Sequence, residues 1–382
     1  MNIEKEFKKL LNKFETIQES PLDLIKETYE LQEQLLNCLI NIEEKIIHNK
    51  EVIIANKNEI KKSDYKEFKI SKNEENNEIK NENEFLKKEL KRFREIGDSI
   101  AFLYFNKRDL KSLCWKQDSG YISGKKGLVK ELEVFHDYCS KGMICILNDI
   151  TNCLRFGDIT IGINGKPQLI EVKTNIYDNP RVKRQAENLS QRNYLLNNDY
   201  VKDFPNKNET LKKISVPGEK NYINEFQTTL LRINEKDEIY IEPEKGIFYF
   251  FNYKNNKHEH FSKISKTCRN PKVYFLNAFK NIEENYLPFP ILFNNNFYLN
   301  EFYKGNLLLV VLLDFDIFLS KLKKYQIILE SEDDNFYYFS FPRESERQEI
   351  RMSKLAFTRI ARELESMDWT IKCLLKAIEN SN

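Results

Sequence analysis

Three ionisable side chains lie around one predicted hairpin in the middle of the chain. Asp158 opens the first strand of this hairpin, while Glu171 and Lys173 lie two residues apart on the second strand. Because side chains alternate between the two faces of a strand, Glu171 and Lys173 are expected to point the same way. Two carboxylates and an amine on one face suit a Mg²⁺ site, since this cation takes oxygen ligands and an adjacent amine helps to orient or deprotonate an attacking water.

The register of the hairpin follows from the dipeptide Asn164-Gly165, which favours a two-residue turn between alternating strands. Counting outward from this turn sets Asp158 opposite Glu171. Pro167 argues against a perfect two-residue loop, because proline is rarely found inside a strand. The sequence therefore predicts an approximate register that brings the two carboxylates together.

The hairpin needs flanking elements to hold it, and the apolar pattern predicts them on both sides. These elements are a helix over 124–140, a short strand over 143–147, hairpin strands over 158–163 and 169–174, and a basic helix over 180–196. Their order predicts an α/β (α+β) domain in which the ionisable residues lie near one end of a small sheet.

The order of these residues and elements resembles the core of the PD-(D/E)XK nuclease superfamily, which has the restriction-endonuclease-like fold. The resemblance covers about residues 100–200 and is carried by Asp158, the hairpin and Glu171-Val172-Lys173. It implies a nuclease that hydrolyses DNA phosphodiester bonds with Mg²⁺, or with Mn²⁺ in its place. Asp158, Glu171 and the carbonyl of Val172 would hold the metal, and Lys173 would position or activate the water.

The same resemblance implies roles for the two flanking helices. The preceding helix often supplies another acid in this family, for which Glu131 is the best match and Glu133 the second. The following helix often supplies a side chain near the scissile phosphate, and the candidates here are Gln185, Gln191 and Tyr194, with Gln191 preferred. By analogy of fold alone, a role in bacterial anti-phage defence or restriction is expected.

Two features of the motif leave other interpretations open. Gly157 stands where the family has a proline, and the spacing of Gln191 and Tyr194 matches the exonuclease branch only loosely. The acidic residues and the lysine could also form an ordinary cross-strand charge pair on a solvent-facing strand. The alternative function is a non-catalytic nucleic-acid-binding or scaffold protein on the same fold, although such a module needs no intact Asp, Glu and Lys constellation.

The charge of the chain is balanced overall but uneven locally. The 61 Lys and Arg residues nearly cancel the 59 Asp and Glu residues, so the net charge of +2 does not by itself indicate a nucleic-acid partner. Residues 103–130 hold seven basic and two acidic side chains, and residues 181–196 hold four basic and one acidic. Because both stretches flank the candidate site, we expect a polyanionic substrate, with DNA preferred and RNA not excluded.

The distribution of glycine and proline suggests three regions. Residues 1–98 read as a long-helix hairpin or coiled-coil region, 99–235 as the nuclease-like domain, and 236–382 as a strand-rich α+β region of unknown role that closes with a helix over 351–378. Long helices at the N-terminus predict a homo-oligomer or a bound protein partner, and we expect residues 1–84 to be separable from the rest.

The composition bounds the class of protein. Hydrophobic residues make up 41% of the 382, which suffices for a sizeable core. The apolar runs fall far short of the roughly 18 residues that a membrane span requires. Seven cysteines at irregular spacing and four histidines disfavour a disulfide framework or a zinc cage. The sequence therefore predicts a cytoplasmic protein with no membrane partner.

Overall fold

The computed structural model describes residues 2–111, 113, 120–173, 180–198, 200–201, 211–212, 216–234, 237–254, 257–281, 287–343 and 346–380. The chain forms two compact units, Met1–Thr210 and Leu211–Asn382, whereas the sequence suggested boundaries near 98 and 235. Both units combine helices with small antiparallel sheets, so the predicted mixed α+β class and the long N-terminal helices are confirmed. In the described part of the chain, no helix is both long and apolar enough to cross a bilayer.

The first unit begins with long helices and continues with a small sheet between shorter helices. Its elements are α1 (Ile3–Glu19), α2 (Ile25–Lys62), α3 (Lys66–Tyr104), α4 (Lys107–Lys111), α5 (Leu128–Ser140), β1 (Cys145–Leu147), β2 (Ile159–Ile163), β3 (Lys166–Ile170), α6 (Pro180–Asn198) and β4 (Tyr200–Val201).

Helices α2 and α3 form an antiparallel hairpin with a regular layering. Three of the side-chain hydrogen bonds between them join residues whose numbers add to the same total: Thr28 with Tyr104 at 2.8 Å, Asn49 with Asn83 at 3.0 Å, and Asn56 with Asn76 at 3.1 Å. The two Asn pairs are buried and lie seven residues apart, which is the spacing that fixes the register of paired helices. From its sequence, the stretch 56–84 could be either a solvated helix or a linker. In the structure it is helical on both sides of the turn at 63–65.

The root of this helical hairpin belongs to the packed core of the unit. The buried Gln32 side chain of α2 donates to the Cys145 carbonyl at 2.9 Å and accepts the Leu147 N–H at 3.0 Å. A deletion of 1–84 would remove these bonds and leave backbone groups of β1 unpaired. The expectation that residues 1–84 are separable is therefore wrong, because α2 completes the edge of the sheet.

The sheet has the order β1-β2-β3, with both neighbouring pairs antiparallel. Gln32 covers the outer edge of β1, and the amide of Asn193 in α6 covers the outer edge of β3. Asn193 accepts the Leu169 N–H at 2.9 Å and donates to the Leu169 carbonyl at 3.0 Å. Two side-chain amides thus satisfy the open edges of a three-stranded sheet, which fixes both flanking helices against it.

The second unit contains one four-stranded and one three-stranded antiparallel sheet, with orders β6-β7-β9-β8 and β10-β11-β12. Its elements are β5 (Leu211–Lys212), α7 (Ile223–Leu230), β6 (Glu238–Glu244), β7 (Ile247–Tyr253), α8 (Glu259–Thr267), β8 (Pro271–Phe275), α9 (Phe289–Leu292), α10 (Asn296–Lys304), β9 (Leu307–Asp314), α11 (Phe315–Lys323), β10 (Ile328–Glu332), β11 (Phe336–Arg343), β12 (Glu346–Ser353), α12 (Lys354–Arg362) and α13 (Met367–Glu379).

The single closing helix predicted over 351–378 is wrong. Arg351, where the predicted helix begins, lies within strand β12. Two helices, α12 and α13, follow this strand instead of one. Leu364 has a positive φ of 53°, which breaks the helical path. Ser366 then accepts the Trp369 N–H at 3.3 Å and caps α13. The amphipathic pattern continues across the break because both helices bury one face against the same core.

Candidate functional site

The β2–β3 hairpin brings Asp158 and Glu171 to one end of the sheet. Its strands pair from the turn outward to Ile159 and Ile170, in the register that the sequence predicts. Asp158 directly precedes this last pair and Glu171 directly follows it. The two acidic residues therefore leave the sheet at the same end and on neighbouring strands.

The turn of the hairpin is a tight two-residue turn. Asn164 and Gly165 have φ values of 52° and 74°, and the favoured hairpin turn needs both to be positive. Pro167 does not disturb the register, contrary to expectation. The Leu169 N–H points to Asn193, away from β2 and towards the open edge of the sheet. Residue 167 is two residues away on the same strand, so its N–H position points to the same edge. Proline at 167 therefore costs no hydrogen bond to β2.

Gly157 allows the chain to pass close to β3 just before Asp158. Its φ is +72°, which proline cannot adopt, so this backbone requires a residue other than proline here. A Cβ at this position would lie 2.6 Å from the Ile170 carbonyl oxygen. The Asp158 N–H donates to that same carbonyl at 2.8 Å. Glycine is therefore required for the backbone path that directs Asp158 to the end of the sheet.

Glu171, Val172 and Lys173 are not part of the strand, although the sequence predicts a strand as far as 174. Strand β3 ends at Ile170, because the Val172 N–H donates to Asp158 Oδ2 at 2.8 Å. Strand alternation thus no longer governs the side chains beyond residue 170. Glu171 is half-buried, whereas Lys173 is exposed.

A third carboxylate, Asp149, reaches this end of the sheet from the 3-10 turn Asn148–Ile150 after β1. Because β1 and β2 are antiparallel, the residues that follow β1 lie beside those that precede β2. Asn148 holds the two segments together: its Nδ2 donates to the carbonyls of Phe156 at 2.8 Å and Gly157 at 3.1 Å. Its Oδ1 accepts the Thr160 hydroxyl at 2.7 Å. The turn that bears Asp149 is therefore fixed to the approach to Asp158.

Lys125 lies among three carboxylates from three different segments of the chain. Its Nζ is 2.9 Å from Glu131 Oε2, 2.8 Å from Asp149 Oδ2 and 3.0 Å from Asp158 Oδ1. These four residues are hereafter called the Lys125 cluster. One ammonium thus reduces the repulsion among three carboxylates in a partly buried site.

The electrostatics of Lys125 follow from two opposing effects. Burial alone disfavours its ammonium form, but Asp149, Glu131 and Asp158 outweigh that penalty and raise the pKa of Lys125. The amine is therefore charged throughout the physiological pH range. A permanent cation at this point indicates that the surrounding oxygens form a cation site.

The loop that carries Lys125 is anchored by the long helices. Glu43 of α2 accepts the N–H groups of Ile122 at 2.6 Å and Ser123 at 2.8 Å. Arg94 of α3 donates to Glu43 at 3.0 Å and to the Asp149 carbonyl at 3.1 Å. Both Glu43 and Arg94 are buried. Through them, the α2–α3 hairpin positions two members of the Lys125 cluster, Lys125 and Asp149.

Glu131 enters the cluster from the first turn of α5 and is 4% exposed. Burial raises the pKa of its carboxyl to about 7, with the Asp158 carboxylate acting in the same direction and Lys125 opposing it. Glu131 thus gains or loses a proton near neutral pH, whereas an exposed glutamate stays ionised there. Among the acids predicted on this helix, Glu131 is the one that the structure brings to the hairpin.

Glu171 lies beside the cluster without an ion pair to Lys125. Burial raises the pKa of its carboxyl, and the Asp158 carboxylate adds to this effect, while Lys125 and Lys173 oppose it. The Glu171 carboxyl is therefore within electrostatic reach of both Asp158 and Lys173. Lys173 is exposed and Glu171 is half-buried, so both residues reach the solvent.

The other predicted site residues lie elsewhere. Glu133 is exposed and forms an ion pair with Lys130 at 2.7 Å. Gln191 is half-buried in α6 and Tyr194 is 45% exposed; in the described residues no hydrogen bond joins Gln191 to the Lys125 cluster. The side chain of Gln185 lies outside the described residues. A role for Gln191 near a scissile phosphate stays a prediction.

The basic helix predicted over 180–196 is not uniformly exposed. Arg192 is 4% exposed, and its guanidinium carbon lies 3.4 Å from the centre of the Phe156 ring. Burial lowers the pKa of Arg192 to about 10. This residue is therefore packed as a structural cation on an aromatic ring, while Lys183 and Arg184 are exposed.

The chemistry of the cluster suits a hard cation, although its present geometry holds an ammonium. The cluster offers carboxylate oxygens, which Mg²⁺ prefers, and half-buried Glu171 adds another carboxylate beside them. As they stand, the described residues contain no group of three or more His, Cys, Asp or Glu side chains that could hold a metal ion. A divalent cation bound to Asp158 Oδ1 would compete with the Lys125 ammonium for that oxygen.

Sequence reasoning missed Lys125 and Asp149. Asp149 could have been found from its position two residues beyond the end of β1, because β1 pairs antiparallel with β2, the strand that Asp158 precedes. Lys125 gives no such signal, because it stands in a glycine-flanked stretch whose position depends on contacts with α2 and α3. Each missed residue depends on contacts between segments that are distant along the chain.

The comparison with known proteins adds no relative. No protein-family model, no curated protein and no solved structure matches the chain, so the resemblance to the PD-(D/E)XK nucleases rests on its motif residues and on the order of the elements.

Proposed function

We propose that this protein is a divalent-cation-dependent nuclease that hydrolyses phosphodiester bonds of DNA. The observation that carries the proposal is the Lys125 cluster, in which three carboxylate oxygens lie 2.8–3.0 Å from one cationic nitrogen. Two of these carboxylates, Glu131 and Asp158, occupy the positions that the family resemblance assigns to acids. A site built for one shared cation supports exchange of that cation for Mg²⁺ or Mn²⁺.

The oxygen donors fit the implied metal by their chemistry. Asp158, Glu171 and the carbonyl of Val172 would hold it, and Glu131 would hold a second ion or order the water around the first. When bound, Mg²⁺ supplies Lewis-acid stabilisation of the phosphate charge and a more acidic water. Because the Val172 N–H fixes Asp158 Oδ2 at 2.8 Å, the Oδ1 atom faces the cation.

The chain's own side chains supply the remaining steps. Lys173 is exposed beside Glu171, where its ammonium would orient the attacking water and steady charge on the phosphate. Lys125 keeps the carboxylates paired before substrate and metal arrive. Gln191 is proposed to contact the scissile phosphate from α6.

The basic residues near the cluster support a polyanionic substrate. Lys126 and Lys130 lie close to Lys125 in sequence and are exposed, as are Lys183 and Arg184 on α6. Such side chains neutralise phosphates without reading base sequence. We therefore propose DNA as the substrate, with RNA as the alternative that a cleavage assay separates.

A second candidate function is a non-catalytic nucleic-acid-binding or scaffold protein. The specific observation that favours it is that Lys125 already pairs with all three carboxylates of the cluster, so that a cation of the chain itself holds them together. Under this alternative, DNA would bind without cleavage and divalent cations would leave the folded chain unchanged.

The proposal is tested by incubating plasmid DNA, linear DNA and RNA with the protein in Mg²⁺, Mn²⁺ or EDTA. We expect cleavage of DNA only with the metals, and a loss of about a hundredfold or more in Asp158→Asn, Glu171→Gln and Lys173→Met. Glu133→Gln is the matched control, because this glutamate is exposed on the same helix as Glu131. Retention of uncleaved DNA under every condition would favour the second candidate.

The setting of the protein is also part of the proposal. The six described cysteines are free thiols, and four of them are buried, which agrees with a reducing cytoplasm. We propose a homo-oligomer assembled through the distal part of the α2–α3 hairpin. A role in anti-phage defence is proposed by analogy of fold alone.

A further inference from the structure

The two faces of the sheet β6-β7-β9-β8 are packed against different elements, and one face is covered less completely than the other. On one face, Phe226 of α7 packs on Phe251 at 5.0 Å between ring centres and on Phe293 at 5.8 Å. On the other face, the nine-residue helix α8 provides the cover, through Phe261 against Phe250 at 5.2 Å. Because α8 is short, it leaves part of this second face open.

A cavity of about 310 Å³ occupies the open part of that face. Its walls are the rings of Phe250, Phe261 and Phe275 and the aliphatic side chains of Leu308 and Val310. Small-molecule pockets begin at roughly 300 Å³ and are walled mainly by such side chains with a few polar groups. The cavity therefore has the size and the lining of a site for a compact apolar ligand.

The acidic residue of the cavity does not favour a charged ligand. Glu238 accepts the His260 N–H at 2.9 Å and the Phe261 N–H at 3.3 Å, which are the second and third amides of α8. These contacts use the helix N-terminus that would otherwise attract an anion. A phosphate or carboxylate ligand would face the Glu238 charge without the helix amides to offset it.

One ring nitrogen in the cavity lining is fixed as a donor. Asn252 Nδ2 donates to the Lys257 carbonyl at 2.9 Å, and this contact sets the orientation of the amide, because a carbonyl can only accept. The same Nδ2 lies 3.2 Å from His258 Nδ1, which must then accept. With Nδ1 as the acceptor, Nε2 carries a ring proton, so the His258 ring offers an N–H donor.

We propose that this cavity binds a small uncharged aromatic ligand that carries one hydrogen-bond acceptor. The rings of Phe250 and Phe261 would pack against the ligand, and His258 Nε2–H would donate to its acceptor. The site lies within the unit Leu211–Asn382 and is independent of the Lys125 cluster. Its occupancy therefore does not depend on whether the chain cleaves nucleic acid.

The test uses three probes on the full-length protein, followed by ligand-observed NMR and titration. Acetophenone has a ring and a carbonyl acceptor, ethylbenzene lacks the acceptor, and benzoate carries a charge. We expect acetophenone to bind at least about tenfold more tightly than benzoate, because Glu238 repels the anion. Stronger binding of benzoate, or no binding of acetophenone, would overturn the proposal.

Two variants and a matched control locate the probe. Ser262→Trp places a large ring at Ser262, an exposed residue of the cavity lining. This substitution should weaken the binding of acetophenone at least about tenfold. His258→Phe should weaken acetophenone about three- to tenfold and leave ethylbenzene unchanged. His260→Phe is the control, because His260 lies outside the cavity lining and packs on Tyr240 at 5.4 Å. Equal affinities for wild type and Ser262→Trp would show that the probe binds elsewhere.

Discussion

Lys125 Nζ lies 3.0 Å from Asp158 Oδ1, while the Val172 N–H donates to Asp158 Oδ2 at 2.8 Å. Asp158 therefore connects the predicted metal site to an internal cation that the sequence did not reveal. The ammonium contacts a carboxylate oxygen that the nuclease hypothesis assigns to a divalent ion. Competition between Lys125 and a metal is the physical consequence of this arrangement.

Replacing Lys125 by methionine should make the fold depend on divalent cations. Without the ammonium, Glu131 and Asp158 repel each other in a partly buried site, so in EDTA the free energy of unfolding should fall by about 2 kcal/mol. Saturating Mg²⁺ or Mn²⁺ should restore it, because a ligand that binds only the folded state stabilises that state. Urea unfolding with and without metal measures both effects.

The exposed neighbour provides the control for this substitution. Lys126→Met removes the same charge from the same loop and should change neither stability nor its metal dependence. If Lys125→Met and Lys126→Met respond alike to Mg²⁺, the carboxylates around Lys125 do not form a cation site.

Glu131 predicts a pH dependence of stability in the metal-free protein. The pKa of its carboxyl is about 7 in the folded chain against an ordinary 4.5, because burial and Asp158 outweigh Lys125, and Asp149 also opposes ionisation. The folded state thus holds this proton more tightly than the unfolded state. The stabilisation is fully present below about pH 4.5 and is lost as the pH rises towards 7.

Glu131→Gln should remove this pH dependence. In the wild type, the free energy of unfolding should change by about 3 kcal/mol at most over this pH range because of Glu131. Urea unfolding in EDTA at about pH 5 and about pH 8 compares wild type with the variant. The Glu133→Gln variant should keep the wild-type slope, because Glu133 is exposed. An unchanged slope in Glu131→Gln would assign the pH dependence to another group.

Gly157→Ala should disrupt the approach to Asp158. Alanine at a positive φ costs about 1–2 kcal/mol, and here its Cβ would also lie 2.6 Å from the Ile170 carbonyl oxygen. Gly142→Ala is the matched control, since Gly142 has a φ of +69° and open space around its Cβ. Thermal unfolding should show a loss of about 3 kcal/mol for Gly157→Ala and about half of that or less for Gly142→Ala. Equal losses would mean that the chain relaxes away from β3.

The distal part of the α2–α3 hairpin should be removable without loss of the fold. Asn49 and Asn83 are hydrogen-bonded at 3.0 Å, so a short glycine turn can join them in place of 50–82. This trimmed chain keeps Gln32 and Glu43, which hold the sheet and the Lys125 loop. Light scattering should show an oligomer for the full chain and a single chain after trimming. The same number of subunits in both proteins would remove the assembly role from the distal hairpin.

Local signals in the sequence predicted the local structure well. Asn164-Gly165 and the alternating residues beside it predicted the observed register of β2 and β3. The strand limit at Ile170 was missed, because the Asp158 side chain, rather than a backbone group, pairs with Val172. Pro167 was judged disruptive because its orientation towards the edge of the sheet depends on Asn193, a residue in a distant helix.

The residues that sequence analysis misjudged depend on long-range contacts. Arg192 counted as part of a basic face, yet the ring of Phe156 buries its guanidinium. Lys125 counted as one of many basic residues, yet Glu43 and Arg94 fix the elements around it. Charge patterns along a chain reveal a local excess of basic residues, but tertiary contacts decide which of these side chains is buried.

The most direct measurement of the central claim is anomalous diffraction from crystals soaked in Mn²⁺. The nuclease hypothesis predicts a Mn²⁺ peak bonded to the carboxylates of Asp158 and Glu171, with the Lys125 ammonium displaced from its place 3.0 Å from Asp158. A map at saturating Mn²⁺ in which Lys125 keeps its three carboxylate partners, and no metal peak appears beside them, would contradict it.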